Sequence, residues 1–176
     1  MVSPKRLSVG LAAPAAVWTC AAGVLLCTAP ALARDRALLN SRELWATIDV
    51  CGPADQRNTV GIRGSMPGDG KTHDKMYMSF RLQYMNADKQ WVDLSGGASS
   101  GWVGVGSGAS PRQGGTSFEL KPVAGKPAVT LRGVVDFQWR HDRTIVQSAT
   151  EPTSTGHKSL AGADPADFSA ATCVIG

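Results

Sequence analysis

Between Lys75 and Tyr84 every second side chain is apolar: Met76, Met78, Phe80, Leu82 and Tyr84 point one way, while Ser79, Arg81 and Gln83 point the other. Only an extended chain has a period of two, so this run must be a strand with one face in a core and one toward water. The same alternation recurs along the chain. Leu44, Ala46, Ile48 and Val50 share a face of the run Leu44–Cys51, and Val60 and Ile62 do so within Asn58–Arg63. The turn residues Asn86-Ala87-Asp88-Lys89 lead into Trp91–Leu94 and predict a hairpin. Thr116–Leu120 follows, and then Ala128–Arg140, where Val129, Leu131, Val135, Phe137 and Trp139 are candidate core residues. Asp142-Arg143 turns the chain into Thr144–Thr150, and Ala170–Ile175 closes it. Helical periodicity is confined to a weak turn within Ala37–Leu44. About seven or eight short strands with turn signals between them define an all-β chain, expected to fold as an antiparallel β-sandwich.

Composition narrows the context. A chain of 176 residues, 43% hydrophobic and 18% charged, suits one domain with its own core. It is too short for a barrel enzyme or a two-domain cofactor protein. Lys5 and Arg6 precede an uncharged run from Leu7 to Leu26, and Ala31-Leu32-Ala33 supplies the small residues of a cleavage site. Residues 1–33 therefore read as a signal peptide. Cys20 and Cys27 follow Thr19 and Leu26, where a lipid-attachment motif has small residues, so a lipid anchor is not expected. The mature chain would start at Arg34, with an N-terminal extension over 34–43 and the sandwich over 44–176. It would be secreted, with no membrane segment after cleavage. Removing Lys5 and Arg6 lowers the formal net charge from +4 to +2. The remaining charges are scattered, which argues against nucleic-acid binding. Two cysteines remain, Cys51 and Cys173, and in an exported chain they are expected to form a disulfide.

Two stretches differ in composition. Residues 95–117 hold eight glycines and six serines around Trp102, Val103 and Val105, so this tract is either a flexible loop or a glycine-weakened edge strand. Residues 151–169 read as a polar loop before the last strand.

The strand pattern from Met76 to Leu94 and from Val129 to Thr150 resembles immunoglobulin-like and fibronectin type III-like domains. Within that class it is similar to small secreted bacterial sandwich proteins of unassigned function. The resemblance covers most of residues 44–176 and implies a fold without an activity. It departs from true immunoglobulin domains in placing its cysteines in the first and last strands.

Several motifs match in letters and fail on context. Gly97-Ala98-Ser99-Ser100-Gly101 fits G-x-S-x-G, and Asp136 or Asp142 and then His157 follow in hydrolase order. That chemistry needs Ser99 on a strand-to-helix turn, and Gly101–Gly106 is a poor helix former. Gly64–Thr72 resembles a phosphate loop with one residue too many and no helix after it; Pro67-Gly68-Asp69-Gly70 reads more simply as a turn. His73-Asp74 and His141-Asp142 fall at turns and read as solvated pairs, and Asp69, Asp164 and Asp167 as solvated carboxylates. Neither zinc nor calcium spacing is present, and no cofactor is expected.

Trp45 and Trp139 are expected to be core or half-buried packing residues. Trp102, set among glycines, is either an exposed contact for a sugar ring or protein partner, or a lid over the sandwich end. The candidate contact residues are Trp102, Trp91 and Arg112, with the binding surface around Gly96–Gly115. The favoured function is a non-catalytic module that binds a protein or cell-wall glycan. A protease inhibitor or structural module is the alternative, and a small hydrolase using Ser99 the least supported.

Overall fold

A computed structural model describes residues 36–121, 125–157 and 161–176. The signal peptide and the start at Arg34 lie outside the described residues. After a helical turn at residues 36–39 come nine strands: β1 (Trp45–Cys51), β2 (Thr59–Met66), β3 (Lys75–Met85), β4 (Trp91–Asp93), β5 (Ser99–Ser107), β6 (Arg112–Glu119), β7 (Val129–His141), β8 (Thr144–Pro152) and β9 (Cys173–Ile175). They form two antiparallel sheets. The small sheet has the order β1-β2-β6. The large sheet has β3 and β7 at its centre, with β4 and β5 along β3 and with β8 and β9 along β7. The expected β-sandwich architecture is present.

The core lies between the sheets and follows the alternation. Met76, Met78, Phe80 and Leu82 of β3 and Leu131, Val135, Phe137 and Trp139 of β7 are buried against Ile48, Val60, Ile62 and Met66 of the small sheet. Trp139 meets its one polar need by donating its indole N–H to the Pro67 carbonyl at 2.9 Å. Gly133 interrupts the apolar face of β7 because the sheets approach closely there: a Cβ would lie 2.7 Å from Thr153 Cγ2 and 2.8 Å from Ile62 Cδ1. Val129 departs from expectation at 39% exposure. It stands at the start of β7 and lines an open cleft of about 930 Å³ between the sheets.

Most of residues 95–117 is strand, with short connections at 95–98 and 108–111. β5 pairs with β3 in the large sheet, and β6 pairs with β2 in the small one. Gly101, Gly104, Gly106, Gly114 and Gly115 thus sit on two edge strands, where lost side-chain packing costs least, while Gly96, Gly97 and Gly108 lie in the connections. The polar stretch after β8 protects the free edge of β1. Ile48 and Ala170 exchange backbone hydrogen bonds at 2.9 and 3.0 Å, and the Thr47 hydroxyl donates to the Ser154 carbonyl at 2.7 Å.

Cys51 and Cys173 are disulfide-bonded, with Cα atoms 5.6 Å apart. The bond links the end of β1 in the small sheet to β9 in the large one, so it closes the sandwich across its layers. Among the described residues, no helix is long and apolar enough to cross a membrane.

Candidate functional site

Register decides which side chains share the outer face of the large sheet. Met76 and its alternates face inward, so Lys75, Tyr77, Ser79, Arg81 and Gln83 of β3 face outward. Pairing carries this parity to the neighbouring strands. Trp102 lies opposite Ser79, Trp91 opposite Met85, Arg140 opposite Lys75 and Arg132 opposite Gln83. Trp102 and Gly104 lie opposite the outward-facing Ser79 and Tyr77, so alternation turns Val105, between Gly104 and Gly106, toward the core. Trp102 is 44% exposed. The reading of Trp102 as a lid over the sandwich end is therefore set aside.

Two arginine–aromatic stations stand on this face. At one end, the Arg140 guanidinium lies 4.1 Å from the Tyr77 ring centre and 5.1 Å from that of Trp102. Its Nε–H donates to Gln138 Oε1 at 2.8 Å, which fixes the plane of the group. At the other end, Arg132 lies 4.5 Å from the Trp91 ring centre and donates to Gln83 Oε1 at 2.8 Å. Cation–π stacking of this kind contributes roughly 0.5–1 kcal/mol at exposed sites. Burial and the nearby Arg81 charge draw Arg132 below the usual guanidinium value, and it remains a cation at neutral pH. Between the stations the charge is neutralised. Arg81 pairs with Asp136 and lies 3.4 Å from Asp93, and the Thr150 hydroxyl donates to Asp136 at 2.7 Å.

Of the three candidate contact residues, the fold brings Trp102 and Trp91 to one face and separates Arg112 from them. Arg112 lies on the inward side of β6, opposite Met66, and its buried Nε sits under Gly106 with no hydrogen-bond partner among the described residues. Gly96 and Gly97 lie elsewhere again, at the mouth of a cleft of about 930 Å³ between the sheets, with Leu94, Phe118 and Leu131 among its walls. Tyr77, Arg132 and Arg140 were missed by sequence reasoning. Their signal was available: each occupies a polar position of an alternating strand, yet only strand register shows which ring each arginine meets.

Other polar residues sit differently from their sequence reading. Asp74 is 1% exposed and Asp69 is buried, so neither is solvated. His141 Nδ1 lies 2.6 Å from Asp74 Oδ1, and Lys71 Nζ lies 3.3 Å from Asp74 Oδ2. Burial alone would raise the Asp74 carboxyl, but hydrogen bonds with His141, Asp69 and Lys71 hold it below the usual value. Burial raises Asp69, and the hydrogen bond to Asp74 raises His141. The β7–β8 hairpin closes over the loop before β3 and makes this cluster. Trp45 is half-buried, within its expected packing role, and its ring stacks on His157 at 4.2 Å.

The hydrolase-motif residues are held in separate contacts. Ser99 begins β5 opposite Arg81, Asp136 is engaged by Arg81 and Thr150, and His157 Nε2 lies 3.0 Å from Ser154 Oγ. Comparison with protein-family models, with curated proteins and with solved structures finds no match.

Proposed function

We propose that this chain is a secreted, non-catalytic binding module of the bacterial immunoglobulin-like or fibronectin type III-like kind. Its partner is a cell-wall glycan, met by the outer face of the large sheet around Trp102. The observation that carries this reading is the 44% exposed Trp102 ring beside Tyr77 and Arg140 on an open sheet face. A large aromatic held outward has no role in the core, and a flat ring offers a stacking surface for a sugar. Secretion is supported by the charged and apolar leader at residues 1–33 and by the Cys51–Cys173 bond. A protein partner is the second reading, since exposed Trp and Arg also dominate protein interfaces.

Co-sedimentation with insoluble cell-wall glycan tests the proposal, using the protein recovered from the medium of a secreting host. The wild type is expected in the pellet. Trp102→Ala is expected to stay in solution while keeping its stability within about 1 kcal/mol, as for an exposed strand position. Wild-type protein left wholly in the supernatant, or Trp102→Ala pelleting like wild type, would overturn it.

A further inference from the structure

We infer that the ligand of this face is an anionic polysaccharide, its acid groups held by Lys75 and Arg140 and a sugar ring stacked on Trp102. The inference rests on the binding-module reading and adds the charge of the partner. Lys75 and Arg140 are direct cross-strand partners in the β3–β7 register, and both face outward. Like charges directly opposite one another destabilise a sheet. Neither forms an ion pair among the described residues, although the same face neutralises Arg81 with two aspartates. The repulsion is therefore left standing at the corner where Trp102 is exposed. An incoming anion would relieve it.

The orientation of Arg140 fits that task. Its Nε–H is committed to Gln138 and its plane to Tyr77, while its Nη groups find no carboxylate among the described residues. A guanidinium fixed in this way offers two parallel donors to one carboxylate or phosphate. The second station, Arg132 on Trp91, lies eight residues along β7. At about 3.3 Å per residue the two stations are roughly 26 Å apart, a span that suits a polymer rather than a single sugar. An acidic polypeptide would satisfy the cations as well, and the flat, exposed Trp102 ring is what favours a sugar.

The probes are polygalacturonate, its methyl ester and polyglutamate, titrated against the intact secreted protein by calorimetry at low salt. Polygalacturonate is expected to bind at least tenfold more tightly than either of the others, and to weaken as salt rises. Arg140→Gln and Lys75→Gln are each expected to lose tenfold or more of that affinity. Lys89→Gln, in the turn between β3 and β4, is expected to bind like wild type. Lys75→Gln removes one of two repelling charges, so its melting temperature should hold or rise, and it remains informative if Arg140→Gln fails to fold. Equal affinity for the methyl ester or for polyglutamate would overturn the inference, as would undiminished binding by Lys75→Gln. Retention on wall glycan that depends on Trp102, with polygalacturonate ignored, would leave the binding-module reading intact and end this one.

Discussion

Replacing Cys51 and Cys173 together by alanine should remove a large part of the stability of this fold. The two residues are 122 positions apart, so the bond closes nearly the whole described chain into one loop. For a loop of about that size the chain-entropy relation gives roughly 16 cal/mol/K, or about 5 kcal/mol at 25 °C. Cys173 is also 2% exposed, and truncating it leaves a small void. Working against the full loss, β9 remains paired to β7 at three positions without the bond. A loss of about 3–5 kcal/mol is expected, set against the roughly 5–15 kcal/mol typical of whole domains. Urea unfolding followed by tryptophan fluorescence measures it, with buried Trp139 as the main reporter. At a slope near 2 kcal/mol/M the midpoint should fall by about 2 M. The slope itself should rise, because the unlinked denatured chain is more expanded. A loss below about 1 kcal/mol would refute the argument. A full loss with an unchanged slope would assign the stabilisation to native packing instead.

Two further outcomes follow from the core and the His141 cluster. Gly133→Ala places a methyl group against Thr153 and Ile62 and should cost about 1–3 kcal/mol in a thermal or urea melt; a neutral result would show that the sheets can part there. The hydrogen bond to Asp74 raises His141 above its ordinary value of 6.5, so its stabilisation is complete below that pH and is lost as pH rises through the folded value. His157, lowered by burial, acts with the opposite sign below 6.5, where protonation opposes folding. Melting temperature followed upward from pH 6.5 should therefore fall in the wild type and lie flat in His141→Gln; parallel curves would remove His141 as the cause.

The strands of the core were legible because alternation is a local property. Met76 to Leu82 declare their buried face in any context that provides a second layer, and Cys51 and Cys173 were the only pair left once the leader was set apart. The tertiary structure decided what covers what. Val129 keeps the parity of Leu131 and Val135 but lines the open cleft between the sheets, so identical patterning ends in exposure. Asp74 has the residue type and turn context of a solvated carboxylate; Lys71 in its own loop pairs with it locally, and the β7–β8 hairpin adds His141 from far along the chain. The glycine tract around Trp102 has weak strand propensity and becomes strand because β3 and β2 offer unpaired edges to it. Which side Trp102 takes depended on the β3–β5 pairing with its two register shifts, and which cation it meets depended on the β3–β7 register. Periodicity is written in neighbouring residues, whereas burial and partnership arise between segments far apart in the chain, and no local pattern encodes them.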